Sequence, residues 1–183
     1  MKKKLLALLI VGSAVIASSC NKIKEATDQN ITLTTADVTL SVASRGVSAQ
    51  EVELSSIVAT ADLDALIKQK ASGFGLNNVK SLKIKTLTAE ITAGADANNS
   101  FANLNDVSAV IEATGKTLFT ATYSNASTTR IDKINLVVNS AVDLKDLVSG
   151  TGLKYTLKSK IRTALTNNLT IKLVATYDAV VGL

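Results

Sequence analysis

The sequence predicts an all-β protein, an antiparallel β-sandwich of about eight strands with one or two short helices. Three observations carry that expectation. From Ile31 onward Thr, Val, Ile and Leu dominate, and apolar residues recur at every second position, as on half-buried strands. These runs are short and end in Gly, Asn, Asp and Ser clusters that suit turns. One segment stands apart with a clear helical period.

The elements follow in order. Val38, Leu40 and Val42 share one face of a first clear strand, and Val52 and Leu54 begin another. The helix comes next: Asp62 or Thr60 caps it, Leu63, Leu66 and Ile67 form its apolar stripe, and Lys68 and Lys70 suit its C-terminal end. Gly73 offers a left-handed exit. Between Val79 and Ile91 the apolar phase slips, with Leu82 and Ile84 on one parity and Leu87, Ala89 and Ile91 on the other. A period-two pattern changes face only through an inserted residue, which predicts a bulge near Lys85–Thr86 or a break into two strands.

Parity also predicts two hairpins. Val107, Ala109 and Ile111 match Tyr123, Ala121 and Phe119 if an odd loop is centred on Thr114-Gly115-Lys116. Ile161 faces Leu173, and Leu157 faces Tyr177, if Thr166-Asn167-Asn168 is the loop. Between them Ile134, Leu136 and Val138 make a further strand, and Asp143–Val148 suggests a helical turn. Residues 153–165 also fit a helix. A strand is preferred because Leu153, Tyr155, Leu157 and Ile161 alternate with basic residues.

The N-terminal segment has a different character. Lys2-Lys3-Lys4 precede an apolar run from Leu5 to Ile16, too short to span the ~30 Å hydrocarbon layer as a permanent helix. Small residues then lead to Cys20, the sole cysteine. Ala17 and Ser19 would suit an ordinary signal peptidase, leaving Cys20 as a bare thiol. The run Ile16-Ala17-Ser18-Ser19-Cys20 resembles the lipobox of bacterial lipoproteins, which carry a type II signal peptide. That resemblance implies acyl chains on Cys20 and a membrane anchor through the lipidated N-terminus. Asn21 differs from the Asp of inner-membrane retention signals, so an outer-membrane destination is expected. The expected organisation is a signal peptide over 1–19, a lipidated polar tether over 20–30, and a single sandwich domain over 31–183.

Composition narrows the chemistry. The formal charge of +5 falls to about +2 once Lys2–Lys4 are set aside, too little for a nucleic-acid partner. With no His in the chain, Ser-His-Asp and Cys-His mechanisms and the commonest metal ligand are excluded. A lone cysteine permits no intramolecular disulfide. No catalytic residue set and no cofactor are expected.

Candidate sites remain. Asp96, Asn98 and Ser100 match the opening of a calcium loop, but Phe101 stands where Gly is needed and Val107 where Glu belongs. An Asn-rich turn is the simpler expectation. Lys154, Lys158, Lys160 and Arg162 would line one strand face as a basic stripe, facing acidic lipid or glycan, or plain solvent. Glu51 and Glu53 share a strand face and offer a carboxylate pair of the kind glycoside hydrolysis uses. The leading functional expectation is an envelope lipoprotein whose non-catalytic sandwich serves binding, adhesion or assembly with an envelope protein or glycan. The alternative is a carrier holding a lipid or other apolar ligand in its interior.

Overall fold

A computed structural model describes residues 28–35, 37–60, 62–113, 116–145 and 152–183. Cys20, the signal segment and most of the tether therefore lie outside the described residues, as does the expected helical turn from residue 146 onward. Among the described residues the strands are β1 (Gln29–Thr34), β2 (Val38–Val42), β3 (Ser48–Ala59), β4 (Val79–Ala93), β5 (Leu104–Ala113), β6 (Lys116–Ser124), β7 (Lys133–Leu136), β8 (Leu153–Ile161) and β9 (Leu169–Val181). One helix, α1 (Leu63–Lys70), lies between β3 and β4. The first strand begins at Gln29, slightly before the expected domain start at residue 31.

The strands form two antiparallel sheets, as expected of a sandwich. One has the order β1-β9-β4-β7, with β2 sharing the β1 edge of β9; the other has the order β3-β8-β5-β6. On β9 every second residue from Leu169 to Val181 is buried, and the residues between them are partly or fully exposed. That alternation is what one buried and one solvated face require. The two edges approach each other at one side, where Thr122 and Val137 exchange backbone hydrogen bonds of 3.1 and 2.7 Å.

The bulge expected in β4 is present. Ile84 pairs with Tyr177 and Thr86 with Thr176, so Lys85 has no partner in the β9 ladder. Its insertion returns Leu87, Ala89 and Ile91 to the face that already holds Leu82 and Ile84, and all five are buried. The helix also forms as read. Asp62 caps it by accepting the Ala65 amide at 2.8 Å, Leu63 and Ile67 are buried, and Gly73 leaves at φ +103°.

The β5–β6 hairpin has the expected register, with Val107 opposite Tyr123, Ala109 opposite Ala121 and Ile111 opposite Phe119. Its turn differs. Ala113 pairs with Lys116, and a register shift after Ile111 takes up the parity that an odd loop was expected to supply. The turn residues 114 and 115 lie outside the described residues.

The second hairpin is not formed. Residues 153–161 are a strand, as preferred, but β8 pairs with β3 and β5 while β9 belongs to the other sheet. Ile161 faces Leu104, not Leu173, and Leu157 faces Ala109, not Tyr177. Parity reports only which residues turn toward the core. Two strands facing each other across a sandwich satisfy it as well as two neighbours, and the Arg162–Asn168 connection crosses the ~10 Å between sheets.

Burial pushes the Tyr155 and Tyr177 phenols up; Tyr155 raises Tyr177 further, whereas Tyr177 acts on Tyr155 in the opposite sense. The Tyr177 hydroxyl is buried with no hydrogen bond of good geometry, even with Tyr155 beside it. Two measurements follow. Tyr177→Phe should leave stability unchanged or raise it by about 1 kcal/mol in urea denaturation, since it removes an unpartnered buried hydroxyl; a loss above that would show the hydroxyl to be satisfied. Deleting Lys85 should abolish cooperative unfolding, because one half of β4 then turns its apolar side outward. Lys85→Ala, which removes only an exposed ion pair with Asp178 at 3.0 Å, should cost less than about 1 kcal/mol.

Candidate functional site

Three connections gather at one end of the sandwich: Gly94–Asn103 after β4, Asn125–Asp132 after β6, and Arg162–Asn168 after β8. Strand register places them together. Ala93 pairs with Thr170, Lys133 with Glu90, Leu104 with Ile161, and Asp106 with Ser124. The chain enters at the other end, where Gln29 pairs with Val181. The 13 residues of β9 separate the two ends by about 40 Å.

Loops that leave a sheet lose their ladder partners, and buried backbone groups then need replacements. Here asparagine side chains supply them. An amide carries both donors and an acceptor on a short stem, so it can stand in for a missing strand. Asn99, 1 % exposed, accepts the Thr166 and Asn167 amides at 2.7 and 3.0 Å and so ties the β4–β5 loop to the β8–β9 loop. Asn103 accepts the Ser100 amide at 3.0 Å and donates to the Asn98 and Ala164 carbonyls at 2.7 and 3.1 Å. Asn125 donates to the Phe101 and Leu104 carbonyls at 2.8 and 2.9 Å and accepts the Ser127 amide at 3.0 Å. Gly94 completes the junction. It sits at φ +84°, and a Cβ there would collide with the Asn168 carbonyl.

Between these loops lies a surface cleft of about 300 Å³, bordered by Asn98, Ser100, Thr128, Arg130, Arg162 and Thr163 among others. Arg162 is half-buried. Its Nε donates to Asn105 Oδ1 at 2.6 Å, its Nη1 to the Ser127 carbonyl at 2.9 Å, and its Nη2 to the Asn125 carbonyl. Arg130 forms a fork with Asp132, at 2.6 Å from Nη2 to Oδ2, which holds its guanidinium above the ordinary arginine range.

The residues singled out from the sequence fall in different places. Asp96, Asn98 and Ser100 do come together in the β4–β5 loop, in the role of an Asn-rich turn. Asp96 Oδ1 accepts the Asn98 amide at 2.7 Å and Asn99 Nδ2 at 2.8 Å, and its Oδ2 accepts Asn167 Nδ2 at 2.7 Å. Those bonds, Asn99's foremost, hold its carboxyl below the usual range. Ser100 Oγ accepts the Ala102 amide at 3.1 Å. Lys154, Lys158 and Lys160 share the outward parity of β8, and Arg162 lies past the end of the strand. Lys154 pairs with Glu112 at 3.3 Å, and Lys158 lies opposite Glu53 and Ser108 in register. Lys160 is exposed on the same strand, and Arg162 turns into the cleft region beyond its end. Neighbouring strands set Glu112 and Glu53 opposite Lys154 and Lys158, which no single-strand reading contains. Glu51, for its part, accepts the Ser108 hydroxyl at 2.9 Å.

Asn99, Asn103, Asn125, Arg130 and Thr163 were not anticipated as a group. Their signal in the sequence is the concentration of Asn in the segments between strands, at 98–99, 103, 125 and 167–168, with Asn105 at the start of β5.

No protein-family model matches the sequence, and no curated protein does. Among solved structures, the chain has a likeness to that of Desmodium yellow mottle tymovirus, at TM-score 0.34 and 14 % identity, covering 100 % of this chain and 97 % of that one. A second, to a structure of the Gx strain of infectious bursal disease virus, has TM-score 0.27 and 11 % identity over 85 % of this chain and 42 % of the other. Likeness at this level says nothing of function.

The amide network has a measurable consequence. Asn103→Ala leaves the Ser100 amide and two loop carbonyls without their partner, so it should lower unfolding stability by about 2 kcal/mol or more. Hydrogen exchange should rise at Ser100 and at the loop amides before it rises in β9. Wild-type protection throughout these loops would show that water replaces the side chain.

Proposed function

We propose that this chain is an exported lipoprotein, held by acyl chains on Cys20 to a bacterial outer membrane, and that its sandwich is a non-catalytic module binding an envelope partner. The sequence supports the anchor: three lysines, a short apolar run and small residues lead directly to the sole cysteine. Two or more acyl chains make a lasting attachment, whereas one gives only marginal binding. The observation that most supports a binding role is the placement of the loops. Gln29 stands at one end of β9 and the loop cluster at the other, so an anchor on the N-terminal side leaves the cleft at the far end of the sandwich from the point of attachment. An end built from three cross-tied loops is also where a β-sandwich presents recognition residues on a rigid frame.

The carrier alternative draws on the aliphatic interior. It is less well supported, because inward side chains of both sheets are buried in one continuous cluster from Leu33 to Val181. The cleft beside Arg162, by contrast, opens at the surface and has a polar border.

Labelling cells with radioactive palmitate tests the anchor. The wild-type chain should take up label and fractionate with membranes, while Cys20→Ser should lose the label and become soluble after export. Equal incorporation in both would refute the lipoprotein assignment.

A further inference from the structure

On that reading of the sandwich as a binding module, we propose that the cleft between the β4–β5, β6–β7 and β8–β9 loops binds an acidic sugar residue. The carboxylate would meet Arg162 and the hydroxyls would meet the polar border. The first argument is charge. All three groups that Arg162 bonds are neutral oxygens, and among the described residues it makes no ion pair. A half-buried guanidinium without an ion pair keeps its full charge for an incoming anion. Of its five N–H donors three are engaged, which leaves one on each terminal nitrogen. A carboxylate, with two acceptor oxygens, can take donors from both terminal nitrogens.

Preorganisation is the second argument. The bonds to Asn105, Ser127 and Asn125 hold the guanidinium in place before any ligand arrives, so little side-chain entropy is lost on binding. Asn125 is itself fixed by two backbone carbonyls, and the site therefore rests on the amide network described above.

The border selects the rest of the ligand. The side-chain amide of Asn98 and the hydroxyls of Thr128 and Thr163 border the cleft and have no partner among the described residues. Groups of this kind both donate and accept, as sugar hydroxyls do. Arg130 adds donors but little net charge, because Asp132 already pairs with it and Asp96 lies near enough to be felt. With Asp132 paired to Arg130, the charge offered to a ligand is that of Arg162, which makes no ion pair among the described residues and suits a monoanion better than a phosphate dianion. A volume of about 300 Å³, at the small end for ligand pockets, suits a single ring with part of a neighbour.

The test uses the full-length protein in detergent, titrated with sodium glucuronate, glucose and inorganic phosphate, with amide chemical shifts as the readout. Glucuronate should shift amides in 97–103 and 163–166, and glucose should shift them about tenfold more weakly. Arg162→Lys keeps the charge and loses the fork, and should weaken glucuronate about tenfold. Because Arg162 also ties loops together, Arg130→Gln and Thr163→Val serve as variants at the border, each expected to weaken binding severalfold with an unchanged melting temperature. Three results each overturn the proposal: glucose binding as tightly as glucuronate, phosphate displacing it at equal concentration, or undiminished glucuronate binding in both border variants. Since these titrations do not depend on acylation of Cys20, failure here is distinguishable from failure of the palmitate experiment.

Discussion

The pairing of β4 with β9 is the constraint on which the rest of this molecule depends. β9 lies between β4 on one side and β1 and β2 on the other, so its register sets the positions of most of one sheet. It can hold that place because its inward residues are buried without a break, from Leu169 through Tyr177 to Val181. β4 follows it because Lys80, Lys85 and Thr92 drop out of the ladder, with the bulge at Lys85 falling where the apolar phase changes. Without that bulge the two apolar halves of β4 would face opposite sides of the sheet, and one would lie in water. The same register carries Ala93 to Thr170 and thereby brings the β4–β5 loop against the β8–β9 loop.

At that end the physical problem changes from burying apolar surface to satisfying backbone polar groups. The chain solves it with asparagine. Asn99, Asn103 and Asn125 are nearly buried, and each bonds main-chain atoms of a loop that has no strand partner. The outcome is a set of loops tied to one another as firmly as turns in a sheet. A rigid frame of neutral groups also leaves Arg162 oriented and electrostatically uncompensated. At the opposite end the chain enters through β1, with α1 packed alongside. The entry of β1 and the loop cluster thus stand at opposite ends of β9.

Much of the fold was legible in the sequence wherever neighbours along the chain decide the structure. The slip of apolar phase around Lys85 could be read because an inserted residue is the only way a strand changes parity. The Asp62 cap, the Leu63–Ile67 stripe and the Gly73 exit are local by nature. So is the match of Val107, Ala109 and Ile111 to Tyr123, Ala121 and Phe119 across a tight connection. The joining of β8 to β9 was not legible, since core-facing parity does not distinguish a neighbour in the sheet from a strand across the core. The ion pair of Lys154 was not legible for a related reason: Glu112 lies 42 positions away in the sequence, yet meets it at 3.3 Å.

By itself, then, the sequence determined the class of fold, the solvent and core faces of most strands, the position of the bulge and the capped helix. All of these follow from periodicity and from stereochemistry within a few residues. It also contains the lipobox-like run ending at Cys20, which is a linear signal. Tertiary structure alone decided which sheet each strand joins, which acid pairs with Lys154 of β8, and that scattered asparagines and two arginines meet at one end. Those outcomes depend on contacts between residues distant in the chain, whose partners are chosen by register and sheet order and not by their own neighbours.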